Sequence, residues 1–183
     1  MLYSEIVELR RAFLLPGYSS LTDIGMDGDW VTPYQITSRH PTGPCLVAYN
    51  WLDVPSIEEN KATLERHGYL PGILFNRVLD RALAMAGLDR TRVYITQAFH
   101  LLPRTRSQAI PQRDVLQSFE AITQHELAER RVVALGGAAS RACSTLGIRH
   151  LATPHPSARG LTIEAKAESI AKALIQAREA LQA

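Results

Sequence analysis

The chain has 183 residues, 46% of them hydrophobic and 21% charged, with a formal net charge of +2. That length suits one compact domain over residues 1–183 and is short for two. The composition excludes low-complexity and collagen-like chains, and the small net charge excludes a strong polyelectrolyte field while leaving room for a local basic rim.

Cys45 and Cys143 are the two cysteines. Alone they cannot build a thiolate metal site or an iron-sulfur cluster, and both are expected as free thiols. The first fifteen residues, MLYSEIVELRRAFLL, mix acids and bases among apolar positions, unlike a secretory signal. No uncharged apolar run approaches the roughly 20 residues that cross a bilayer. The expectation is a cytoplasmic monomer that makes no use of a membrane.

Apolar residues at helical spacing over residues 2–13 predict a first helix, which Pro16-Gly17 interrupts. Residues 22–44 carry three glycines, three aspartates and three prolines, a composition that predicts an irregular excursion. The apolar run LVAYN, residues 46–50, reads as a buried strand with Asn50 at its exit.

Pro71 opens a long helical pattern, with Leu70, Leu74 and Val78 on one stripe, Phe75, Leu79 and Leu83 on the next, and Gly87 as the stop. Residues 92–97, RVYITQ, are β-branched and aromatic, so a second strand is predicted with Gln97 at its end. Pro103 and a loop bearing Arg104 and Arg106 follow, then a helical stretch over residues 111–130. A third strand over 131–135 turns through Gly136-Gly137 into another helix. A fourth, over 148–153, ends at Pro154-His155-Pro156-Ser157. The final helix places Ile163, Ile170, Leu174 and Leu181 on one face.

Strands alternating with helices predict a parallel sheet covered on both sides, because each parallel crossover needs a helix. Ligands of such sheets bind outside the carboxyl ends of the strands, where Asn50, Gln97 and His155 converge. Gly136-Gly137 lacks the spacing of a phosphate-binding glycine loop and reads as a tight turn.

Four blocks in order, LVAYN, GILFNRVLDRALAMAGLDRTRVYITQ, RVVALGGAASRAC and ATPHPSARG, resemble the uracil-DNA glycosylase superfamily. The resemblance spans about residues 46–160 and rests on order and spacing, since His-Pro-Ser alone recurs by chance. It implies a three-layer α/β/α sandwich around a central four-stranded parallel sheet, a DNA partner, an extrahelical base and no metal or other cofactor. It assigns His155 to the pyrimidine oxygen on which charge grows, Ser157 to a DNA phosphate, and Asn50 to the attacking water, with Asp53 as a nearby acidic alternative. Gln97 and Tyr69 would hold the base. Arg104, Arg106 and Arg159 follow strands that point to one sheet edge, and together they suit a phosphate-binding rim.

Three departures stand out. The first motif of the family begins with Gly and continues with Pro, whereas this chain reads Ala48-Tyr49-Asn50-Trp51-Leu52. Gln97 replaces a base-reading Asn with the same amide one methylene longer. The cysteine set of the iron-sulfur branch is absent. Three readings therefore stand: a monofunctional glycosylase removing uracil or another altered pyrimidine, a DNA-binding relative that does not cleave, and a nucleoside hydrolase using the same crevice.

Overall fold

The computed structural model describes residues 1–182, and the side chains of residues 1–180. Four parallel strands, β1 (Cys45–Asn50), β2 (Tyr94–Phe99), β3 (Val132–Leu135) and β4 (His150–Thr153), form one sheet in the order β2-β1-β3-β4. Their residues alternate between two faces, as the pleat requires. Leu46, Ala48, Ile95 and Val133 enter a core with α3 (Lys61–His67), α4 (Leu74–Met85) and α8 (Ile163–Gln182). Cys45, Val47, Tyr94 and Ala134 enter another with α5 (Gln112–Ser118) and α7 (Gly137–Thr145). This is the expected α/β/α layering. Ile170 and Leu174 are buried on the inner face of α8, while the side chain of Leu181 lies outside the described residues.

The strand order creates the site. From β1 the chain crosses to β2 through α2 (Val54–Glu59), α3 and α4 on one face, then returns over the other face to β3. The exits of β1 and β3, which are hydrogen-bonded neighbours, thus lead into opposite layers and leave a crevice between them.

The first helix, α1 (Tyr3–Ala12), precedes the irregular excursion. Buried Arg10 anchors that excursion through Asp27 and the carbonyls of Gly28 and Trp30. A short 3-10 turn, Pro33–Ile36, follows. The segment beyond it runs along β2, where Ile95 N–H donates to the Ser38 carbonyl and His40 N–H to Val93. The excursion thereby covers a sheet edge that would otherwise present unpaired backbone.

Three boundaries differ from the sequence reading. Residues Arg90–Arg92 form a 3-10 turn, so β2 starts at Tyr94 and runs through Phe99, whose ring packs against Tyr18 at 4.8 Å. Gln97 is therefore two residues inside the strand. The helical stretch after Pro111 is broken by a π turn, Phe119–Thr123, before α6 (Gln124–Glu126). Helices α2 and α3 were not foreseen. Among the described residues, no helix is long and apolar enough to cross a membrane.

Candidate active site

A cavity of about 310 Å³ opens at the carboxyl ends of the strands, within the size range of small-molecule sites. The exit of β1 contributes Tyr49, Asn50, Trp51 and Asp53; the loop after β2 contributes Pro103 and Arg106; the exit of β4 contributes His155 and Ser157. Phe75, in the first turn of α4, and Tyr34, in the 3-10 turn, complete the wall. A larger cavity of about 500 Å³ lies at the opposite, amino ends of the strands, beside Pro44, Arg92 and Arg130. Convergence of chemistry, not volume, singles out the first.

His155 is oriented by its own turn. The Ser157 backbone N–H donates to Nδ1 at 3.1 Å, and Ala158 N–H donates to the His155 carbonyl at 2.8 Å. An Nδ1 that accepts carries no proton, so the neutral ring carries it on Nε2. Burial holds the imidazole pKa below its ordinary value, with the Lys166 cation adding to the effect. Lys166 is only 2% exposed and donates from Nζ to the Ala158 carbonyl at 3.2 Å, tying the His-Pro-Ser turn to α8. The result is a neutral imidazole whose free Nε2–H has no partner among the described residues.

Asn50 ends β1, half-buried, and its side-chain amide has no hydrogen bond among the described residues. Asp53 stands at the N-cap position of α2 without bonding a helix N–H and accepts from Ser56 Oγ at 2.5 Å, which leaves Asn50 as the uncommitted polar group at this exit. The Trp51 indole donates to the Gly68 carbonyl at 3.0 Å and so fixes the strand's departure.

Two residues expected at the base are placed elsewhere. Gln97 is 1% exposed and does not line the cavity. Its Oε1 accepts from Thr32 Oγ1 at 3.0 Å, and its backbone carbonyl accepts from Thr123 in the π turn at 2.7 Å. Tyr69 is half-buried with the Arg90 guanidinium 3.5 Å above its ring, and it borders a different cavity. The aromatic neighbour of His155 is instead Phe75, with ring centroids 5.4 Å apart, and the Tyr34 ring is 6.2 Å from that of Phe75. Phe75 had been legible only as part of a helix stripe, and Tyr34 carried no signal at all.

Ser157 and Arg106 are exposed at the cavity mouth, while Arg104 and Arg159 are exposed outside it. None of the three arginines makes an ion pair among the described residues, so their charge is available to an anion. Gln108 ties the Arg104 loop down by accepting from Arg104 N–H at 2.6 Å and donating to the Gly17 carbonyl. Both cysteines are buried and free.

A histidine, an uncommitted amide and an aromatic ring thus meet at one strand-end crevice of an open parallel sheet, the position at which such sheets bind ligands. The sequence model of the uracil DNA glycosylase superfamily matches residues 55–177, about two thirds of the chain, and the chain belongs to that family. The match takes in Phe75, Gln97, His155 and Ser157 and begins after Asn50. Membership supports a uracil-DNA-glycosylase-like function in general, with DNA as the partner. No curated protein matches the chain.

Proposed function

We propose that the protein is a DNA glycosylase that flips uracil or another altered pyrimidine out of DNA and hydrolyses its N-glycosidic bond, with no metal taking part. The observation that carries this reading is the His155 geometry: a neutral ring, fixed by Ser157, with one free N–H in a crevice beside an aromatic ring. As the bond between base and sugar breaks, its electron pair moves onto the base and negative charge grows on a pyrimidine oxygen. A preorganised donor there is worth roughly 3–4 kcal/mol of barrier.

Asn50 orients a water toward the sugar carbon. The amide cannot take the proton, so the water's proton passes by way of solvent to the departing base, and the products are the free base and an abasic sugar. Ser157, Arg104, Arg106 and Arg159 form the phosphate rim that offsets the roughly few kcal/mol cost of extruding the base. Gln97 supports the pocket from behind, and Tyr69 flanks α4 without touching the base. The enzyme is proposed to act as a cytoplasmic monomer.

A second reading, a DNA-binding relative that does not cleave, is favoured by the amide at Asn50, since an amide is a poor base. A panel of single- and double-stranded oligonucleotides carrying uracil, hypoxanthine, xanthine or 5-substituted pyrimidines separates the readings. Abasic sites formed by the wild type and lost in His155→Ala support cleavage. Salt-sensitive binding with no cleavage of any base overturns it, and hydrolysis of free nucleosides without DNA affinity reassigns the substrate.

A further inference from the structure

We propose that Tyr34 determines base specificity, its hydroxyl reading the edge of the extruded base opposite His155. The inference rests on the glycosylase reading and concerns the same cavity. Tyr34 lines that cavity although it is only 2% exposed. Its hydroxyl has no hydrogen-bond partner among the described residues, and it is not among their fully enclosed unpartnered atoms. The fully enclosed side-chain polar atoms without a partner, among the described residues, are Arg10 Nε, Arg90 Nη1 and His100 Nδ1. A nearly buried hydroxyl that is both unbonded and accessible, on a residue lining a cavity, is a group awaiting a ligand.

The aromatic arrangement sets its reach. Phe75 is a neighbour of both polar residues, 5.4 Å from the His155 ring and 6.2 Å from the Tyr34 ring. A base lying along Phe75 is therefore within reach of both His155 and Tyr34, which line the same cavity. Gln97 does not line the cavity; it is buried, and its Oε1 accepts from Thr32. Tyr34 is also firmly held. A Cβ on Gly68 would lie 1.9 Å from the Pro33 carbonyl oxygen, so the 3-10 turn is seated on the end of α3, where Thr37 Oγ1 donates to the His67 carbonyl. Gly68 itself has φ +77°, which only glycine adopts freely.

A hydroxyl that must be satisfied discriminates against ligands that cannot bond it more strongly than an apolar wall discriminates by shape. The ligand class is therefore a base carrying a carbonyl on its far edge, such as uracil or hypoxanthine. The test compares wild type and Tyr34→Phe on oligonucleotides with uracil against 2-pyrimidinone, and hypoxanthine against purine, each pair differing by that carbonyl and the ring N–H beside it. Single-turnover release is read beside binding by fluorescence anisotropy. The expected result is a loss of about tenfold to a hundredfold for the carbonyl-bearing base and little change for its partner. Equal losses, or none, overturn the assignment. Should the wild type release no base at all, the glycosylase reading fails, and the Tyr34 assignment is decided on binding. There, a preference for the carbonyl-bearing base that disappears in Tyr34→Phe upholds it, and one that persists overturns it.

Discussion

Gly136 and His155 approach so closely that a Cβ on the glycine would lie 2.7 Å from the histidine Cβ and 3.2 Å from its Cδ2. The exit of β3 is thus the seat on which the His155 turn rests. Gly136 has φ 94° and ψ 170°, a conformation essentially reserved for glycine, and its N–H donates to the Thr153 carbonyl at 2.9 Å. Gly136→Ala should cost about 1–3 kcal/mol of stability through backbone strain. It should also lower base release by more than tenfold, because the methyl group pushes His155 off its position. A urea melt and a single-turnover assay on the same sample check both; a normal rate in a strained but folded variant would show that the seat does not position His155.

Lys166 acts on the same ring from below. Its ammonium depresses the His155 pKa and holds the turn through the Ala158 carbonyl. Lys166→Met keeps much of the stem and removes both effects. The His155 pKa should rise, so the acid limb of the rate profile should move to higher pH, with a several-fold loss of rate at neutral pH as the turn loosens. Titration of the imidazole by NMR measures the shift directly. An unmoved titration would mean that the ammonium does not influence the ring.

The sheet was legible because a strand covered on both faces reads as an uninterrupted apolar run, and 46–49 and 132–135 are such runs. The exits followed from them, and with them Asn50 and His155. Helices α2 and α3, of six and seven residues, are too short to show a period. Tyr34 was invisible for a different reason: its place is fixed by Gly68, more than thirty positions away, within a segment that has no periodicity. Gln97 and Tyr69 show the limit of spacing. A two-residue shift of β2 buried the first behind Thr32, and the distant Arg90 covered the face of the second.

Glu126 gives the fold a pH dependence of unusual sign. Its carboxyl is fully buried and accepts from the Tyr94 and Thr96 hydroxyls at 2.5 Å and from Gln35 Nε2 at 2.7 Å. Burial outweighs these three donors, which favour the charged form, and pushes the pKa up to about 7 from 4.5. The neighbouring His100 is held neutral by burial, its pKa pushed down to about 3. A carboxyl with a raised folded pKa binds its proton more tightly in the folded state. The stabilisation is therefore complete below about pH 4.5 and is lost as pH rises through about 7. Glu126→Gln mimics the protonated form and should flatten this dependence. Relative to wild type, the variant should gain on the order of 3 kcal/mol between pH 5 and pH 8. Urea midpoints at the two pH values give the difference, and parallel curves would rule out a buried proton on Glu126.

Asn50 offers the sharpest test of the water position. The amide orients a water but removes no proton, so a carboxylate of nearly the same shape should accelerate hydrolysis if the water sits there. Asn50→Asp should raise release of uracil by about tenfold or more at pH 8, a modest share of the 10²–10⁴-fold typical of acid-base catalysis. The gain should be limited by Asp53, which lines the same cavity and disfavours a second negative charge. It should also disappear as pH falls and the new carboxyl protonates, so the ratio of the variant's rate to that of the wild type should climb with pH. Asn50→Ala should lose at least tenfold while binding the same oligonucleotide unchanged, because the side chain has no structural hydrogen bond to lose. If both variants cleave at the wild-type rate, the water is held elsewhere, and Asp53, three residues on in sequence and on the same wall, becomes the residue to substitute next.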